Sequence, residues 1–196
     1  MIDNITLLNT LEQLLQKYHP SLLRKMNKGL TDDDVEAFGP KCEITVTDEL
    51  YDLFMWRNGI TPATMDSIDQ LIIFPTGRPI SLAEAADNFD LLSVTKHLFE
   101  SNYFPLFAGD NGNFLLIDLD SASPTFKTIS LFAPQESGNA APITIYDTFA
   151  TLLETVIACY KQGAFRIKDG ALEVDSDMHY RIAGNLNPNS QYWQYM

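Results

Sequence analysis

Apolar residues return every three or four positions over residues 4–18, at Ile5, Leu8, Leu11, Leu14, Leu15 and Tyr18. That spacing lays them on one face of a helix, which Asp3 or Asn4 can cap and Pro20 ends. Leu22, Leu23 and Met26 extend a second short turn before Gly29. In LTDDDVEAFG, Thr31 is placed to cap a helix whose first turn carries Asp32, Asp33 and Asp34, favourable against the helix dipole. TDELYDLFMWRNG repeats the scheme. Thr47 is expected to cap, Leu50, Leu53, Phe54 and Arg57 share a face, and Asn58-Gly59 fits a left-handed cap at the far end. Residues 60–70 read as loop. LIIF (71–74) reads as a short buried strand ended by Pro75 and Gly77. Ser81 to Glu84 forms a capping box that opens a helix through the eighties, and a further helical piece is expected over 93–101.

The period then changes. FPLFA, NFLLIDL, TFKTISLF and PITIY read as four successive strands, separated by stretches rich in Gly, Asn, Asp, Ser and Pro. That order predicts a mainly antiparallel sheet. DTFATLLETVIACYKQG returns to helical spacing, with Phe149, Leu152, Leu153, Val156, Ile157 and Tyr160 on one stripe and Gly163 closing it. AFRIKDGALEVD reads as a hairpin turning at Asp169-Gly170. A short helix near 178–183 and the tail NLNPNSQYWQYM complete the chain. Helices grouped before and after a run of strands predict the α+β class. The expected organisation is an N-terminal helical arm over 1–29 and one α+β domain over 30–196, its C-terminal hairpin and tail included.

Composition changes this picture in one respect. An apolar fraction of 45% is ordinary for a folded domain, but 26 Asp and Glu against 13 Lys and Arg leave a formal net charge of −13. Such a field repels nucleic acid and anionic lipid and speeds encounter with a basic partner. No segment approaches the roughly 20 apolar residues that cross a bilayer. The N-terminus lacks a basic start and a small-residue cleavage site, which points to a cytoplasmic protein. Cys42 and Cys159 are expected to be incidental or structural in a reducing compartment.

The polar knot in FPLFAGDNGNFLLIDLD (104–120) is the strongest candidate for chemistry. Its aspartates do not have the D-x-[DN]-x-[DN]-G spacing of a calcium loop, and Asp118 with Asp120 alone make a poor cation site. Gly109-Asp110-Asn111-Gly112 is formally a GxxG, but its surroundings are acidic where a phosphate clamp needs basic ones. His19, His97 and His179 stand apart without HExxH or CxxC companions and read as surface or helix-end residues. Neither a GxSxG elbow nor a phosphate loop occurs. The expectation is a protein with no catalytic residues, metal or cofactor. A metal-dependent hydrolase using Asp110, Asp118 and Asp120 is the less favoured alternative.

Several stretches taken in order resemble the SUKH superfamily. TDELYDLFMWRNG is similar to its helix-then-NG motif, FPLFAGDNGNFLLIDLD to its central signature, and IYDTFATLLETVIACY to its closing helix. KQGAFRIKDGALEVD and NLNPNSQYW are similar to an extension of many bacterial members. The resemblance covers about residues 31–193. It implies a bent, mainly antiparallel or mixed sheet flanked by helices. It also implies a non-catalytic binding role: immunity against a toxin, often a nuclease, in bacterial members, or regulation of cell-wall synthesis in fungal ones. An acidic inhibitor suits a basic toxin domain, and a regulatory or scaffolding module is the alternative. The candidate contact residues are Asp110, Asn111, Asp120, Glu173, Asp175, Asp177 and Trp193. For Asp110 and Asn111 a turn role is the simpler reading, and the Tyr192-Trp193 tail is expected to dock on its own domain rather than stand exposed.

Overall fold

A computed structural model describes residues 2–42, 44–94, 102–135 and 141–194. The first layer is helical. Helix α1 (Asn4–Tyr18) starts at Asp3, whose carboxylate accepts from Thr6 N–H, and buries Leu7, Leu8, Leu11 and Leu15. Helix α2 (Pro20–Lys25) leads into a short strand, β1 (Met26–Lys28). Helix α3 (Asp32–Glu36) carries the expected cap. Thr31 accepts from Asp34 N–H, and the Asp34 carboxylate accepts from Thr31 N–H in return. After α4 (Gly39–Cys42), helix α5 (Asp48–Trp56) buries Leu50, Leu53 and Phe54. Thr47 stands at its N-cap, yet the hydroxyl makes no capping hydrogen bond.

Asn58-Gly59 differs from its expected role. Helix α5 ends at Trp56, and residues Arg57–Ile60 form a strand, β2, antiparallel to β1. Gly59 does adopt a positive φ of 70°, but inside this strand. The reason is a close approach: a Cβ there would lie 2.2 Å from the backbone nitrogen of Ser81. Beside it the Asn58 side chain accepts from Leu82 N–H at 2.8 Å. The pair thus docks the start of the next helix, α6 (Leu82–Val94), after the short strand β3 (Arg78–Pro79). The Ser81 hydroxyl accepts from Glu84 N–H as the capping box requires, while the Glu84 carboxylate turns to Arg78 at 2.5 Å. LIIF is not a strand. Leu71, Ile73 and Phe74 are buried as an irregular segment. Its polar groups are satisfied locally and by a distant tyrosine, with Ile73 N–H donating to Gly77 and Tyr160 Oη donating to the Ile73 carbonyl. The helical piece expected over 93–101 lies outside the described residues, except that 93 and 94 belong to α6.

The sheet follows, as β4 (Tyr103–Ala108), β5 (Phe114–Asp118), β6 (Ile129–Phe132) and β7 (Ile143–Tyr146). Its order is β3-β4-β5-β6-β7 and every pairing is antiparallel. Residues 125–128, expected to begin the third strand, belong to the connection before β6 instead. Bulges between Pro105 and Phe107 and between Ile129 and Ser130 bend the sheet. Pro105 is tolerated because the short β3 pairs with Phe107 and Ala108 alone, leaving Pro105 on an open edge. Helix α7 (Phe149–Gln162) packs against β7 on one side and α1 on another. The hairpin β8 (Phe165–Lys168) and β9 (Ala171–Val174) turns through positive φ at both Asp169 and Gly170, as two-residue hairpins prefer. Helix α8 (Ser176–Leu186) and a final 3-10 turn, Gln191–Gln194, lie against α7 and β7 respectively. Among the described residues no helix is long and apolar enough to cross a membrane.

The glycine reading gives a direct test. Gly59→Ala meets both a positive φ and a backbone wall, and is expected to cost about 3 kcal/mol. Gly112→Ala also meets a positive φ, but in open space, and should cost about 1 kcal/mol. Urea unfolding midpoints for the two variants would check the order, and equal losses would contradict it.

Candidate functional site

The polar knot is a turn. Asn111 and Gly112 take positive φ, 56° and 77°, and Asn113 N–H closes the turn on the Asp110 carbonyl at 2.9 Å. Gly109 is not left-handed. Gly109 is small for another reason: a Cβ there would sit 2.9 Å from Thr76 Cγ2. Asp110 and Asn111 are exposed at the tip.

Asp118 ends the opposite side of β5, so the tip and this carboxylate are separated by on the order of 15 Å of strand. Asp118 is fully buried. Its two oxygens accept from Asp120 N–H at 2.9 Å and from Thr125 Oγ1 at 2.8 Å. Asp120 in turn accepts from Ala122 N–H. The two aspartates fold the 119–128 connection, and Asp110 is not brought to them. Among the described residues no group of three or more His, Cys, Asp or Glu is arranged to hold a metal ion.

A different region brings several aromatic side chains together around a cavity. The sheet face at Leu115, Leu131 and Ile145 forms the floor of a part-open cavity of about 240 Å³. One wall comes from α8 and the tail, through His179, Tyr180, Tyr192 and Trp193. Pro75 and Thr76 form one rim and Ser176 another. Trp193 is buried as expected for a docked tail, and its indole N–H donates to the Ile145 carbonyl at the end of the sheet. Its ring lies 4.7 Å from that of Tyr192, 5.5 Å from Tyr180 and 5.7 Å from Tyr146. Asp175 and Asp177 flank Ser176. Asp175 caps α8 by accepting from Met178 N–H at 3.0 Å, and Asp177 is exposed in the first turn. Thr76 connects the opposite rim to Gly109 and hence to Asp110. Of the expected contact residues, Trp193 alone lines this cavity; Asp175 and Asp177 are the exposed chain neighbours of its Ser176, and Asp110 and Asn111 follow Gly109, which packs on Thr76. Glu173 points to the other face of its hairpin, where it pairs with Lys168 at 3.2 Å, and Asp120 lies at the far end of the sheet.

His179 was missed by sequence reasoning. It is 6% exposed rather than superficial, packed between Phe165 and Trp193 at 5.1 and 5.3 Å between ring centres. Its Nε2 is buried without a hydrogen-bond partner among the described residues. Burial pushes its pKa down to about 4, so the ring is neutral at pH 7. His19 is buried too, at the junction of α1 and α2, and the His97 side chain lies outside the described residues. The Cys159 thiol is free and buried, and burial raises its pKa to about 12. That removes it from nucleophilic chemistry near neutrality.

A family profile described as the SMI1 / KNR4 family (SUKH-1) matches residues 29–155. The chain belongs to the SMI1/KNR4 (SUKH-1) family. Membership of this SUKH family implies protein–protein interaction, with a toxin-immunity or a regulatory role. The match takes in α3 through the sheet and the first half of α7. Helix α1, the β8–β9 hairpin, α8 and the aromatic tail lie outside it, so the cavity forms where family core and C-terminal extension meet. A search of curated proteins found no match.

The buried histidine makes stability depend on pH. Folding lowers its pKa from the ordinary 6.5 to about 4, so the unfolded chain binds more protons between those values. The corresponding stability is complete above pH 6.5 and is lost as pH falls toward 4. Lowering pH from about 7.5 to 5 should cost the natural chain roughly 2 kcal/mol more than a His179→Phe variant. Chemical denaturation at both pH values would show it, and parallel losses in the two proteins would refute it.

Proposed function

We propose that this chain is a non-catalytic immunity protein that neutralises a cognate toxin domain of a bacterial polymorphic or contact-dependent system, acting in the cytoplasm. The observation that carries the proposal is a SUKH-1 domain bearing a net charge of −13. A nuclease toxin must keep basic residues at its surface to hold phosphates, and an acidic cover associates with such a surface rapidly. The proposed contact face includes the exposed carboxylates at the β4–β5 tip and the start of α8, Asp110 and Asp177, with their neighbours Asn111 and Asp175 and with Trp193. Glu173 and Asp120 extend the acidic surface on other sides. The affinity would come from a few aromatic groups in a pocket, with the charges setting rate and specificity. A regulatory or scaffolding module would share the fold but not the toxin.

Co-expression tests this reading. A toxin domain encoded beside this chain should kill cells alone and spare them when this protein is present. Absence of rescue would contradict the immunity role. For the purified pair, association should slow by about tenfold or more between roughly 50 and 500 mM salt, because exposed charge pairs are screened over that range. The double reversal Asp110→Lys, Asp177→Lys should reproduce a similar slowing at low salt, and unchanged association kinetics would sink this choice of contact face.

A further inference from the structure

The groove between α1 and α5 shares no lining residue with the cavity at the sheet and tail. It holds two hollows that meet at Asp52. The first, of about 250 Å³, is walled by Ile5 and Leu8 of α1 and by Tyr51, Met55 and Trp56 of α5. Ile5 belongs to the apolar stripe of α1, yet it is 58% exposed, and nearby Ile2 is 53% exposed. The second hollow, of about 440 Å³, is lined by Asp3, Asp48, Glu49 and Asp52, with Phe149 at the start of α7. Glu49 pairs with Lys127 at 3.1 Å, and both oxygens of Asp3 accept from Thr6 at the cap of α1. Among the described residues no cation pairs with Asp3, Asp48 or Asp52. Asp48 and Glu49 serve the dipole of α5 from its first turn. Asp52 lies a turn further in and gains nothing there. Its carboxylate accepts from Asn4 Nδ2 at 3.1 Å. Burial, and then repulsion from Asp48, Glu49 and Asp3, hold that carboxyl above the ordinary range against the opposing Asn4 bond.

We propose that this groove docks a basic amphipathic segment of a second protein partner, its large apolar side chain entering the hollow between Ile5 and Trp56 and its lysine or arginine lying over Asp48 and Asp52. The proposal goes beyond the immunity role and does not depend on it. An apolar side chain in the first hollow covers the Ile5 surface that water now touches. A cation beside Asp52 relieves the like-charge repulsion gathered there. The order of the two hollows is built into α5, where Asp48, Asp52 and Trp56 follow at successive turns over about 12 Å of helix axis. A helical segment with basic and apolar positions one or two turns apart matches that order. Charge selects among the occupants. A net charge of −13 sets two copies of this chain against each other, and the carboxylates repel an anionic lipid surface. An apolar segment without basic residues would cover partly desolvated carboxylates and leave them unpaired. Helix α1 lies outside the stretch that the family profile matches, so the groove belongs to this chain's N-terminal arm as much as to the family core.

Full-length protein, isotopically labelled, is titrated at neutral pH and about 150 mM salt, where long-range attraction between exposed charges is screened. The probe is a synthetic peptide of about 14 residues, long enough to form a helix on binding, with leucine on one face and lysine on the other. The expected result is saturable movement of the Trp56 indole N–H resonance and of the backbone amides of residues 4–9 and 48–56. The same peptide with serine in place of leucine should bind about tenfold more weakly or worse, because it has lost the apolar anchor. With glutamate in place of lysine, binding should vanish. Ile5→Gln, at an exposed side chain, should weaken binding of the leucine–lysine peptide about fivefold, and Asp52→Asn about threefold. Asp110→Asn, at the β4–β5 tip, should leave it unchanged. Shifts that map away from the groove, equal binding of the serine peptide, or an Asp110→Asn loss equal to that of Asp52→Asn would each overturn the proposal. So would self-association of the free protein that moves the same resonances on dilution. Rescue in cells does not enter this test, so the groove and the immunity reading can each fail alone.

Discussion

Helix α7 is the constraint on which the molecule depends. Eight of its residues are buried, and two of them, Thr155 and Cys159, lie beyond a simple apolar stripe. It is buried because it is covered on several sides, by β7, α1, α8 and β8. Its polar groups then need internal partners. The Thr155 hydroxyl donates to the Thr151 carbonyl and accepts from the Asn187 amide at 3.1 Å. Asn187 is itself fully buried just past α8 and accepts from Asp147 N–H ahead of α7. At the other end of α7, Tyr160 Oη donates to Ile73 and so anchors the irregular 71–74 segment. Breaking a buried hydrogen-bonded group costs more than making it yields, so these few contacts fix where the arm, the sheet and the extension lie.

The cavity follows from that arrangement. With Asn187 held against α7, the chain beyond it returns across the end of the sheet and inserts Trp193 against β7. The cavity is the space left where sheet, α8 and tail meet. The polar residues near it do structural work: Asp175 caps a helix, and the Asp110 to Asn113 turn closes a hairpin. The buried carboxylate Asp118 belongs to the fold as well, with both oxygens committed to the chain that follows it.

Much of the fold was legible because it rests on local periodicity. The stripe of α7, the capping pair Thr31 and Asp34, and the Asp169-Gly170 turn each announce themselves within a dozen residues, and so does helix α1, although its buried face takes Leu7 and leaves the expected Ile5 and Tyr18 exposed. The failures share a physical cause. LIIF has strand composition, but its neighbours in space leave it no strand partner, and one long-range bond from Tyr160 satisfies it instead. Asn58-Gly59 reads as a helix cap because the need for glycine is real, yet the backbone that demands it belongs to Ser81. The cavity was legible only in pieces. Acidic residues and Trp193 stood out singly, but His179 looked superficial, and its burial depends on aromatic groups from separate elements, Phe165 and Trp193.

The central claim is that the partner is bound where the extension meets the sheet. Hydrogen–deuterium exchange on the complex with a toxin domain from the same locus tests it most directly. The account predicts slowed exchange at residues 75–76, 109–112, 175–180 and 191–194, with the α1–α5 side unchanged. Protection confined to α1 and α5, with the cavity segments exchanging as in the free protein, would contradict it.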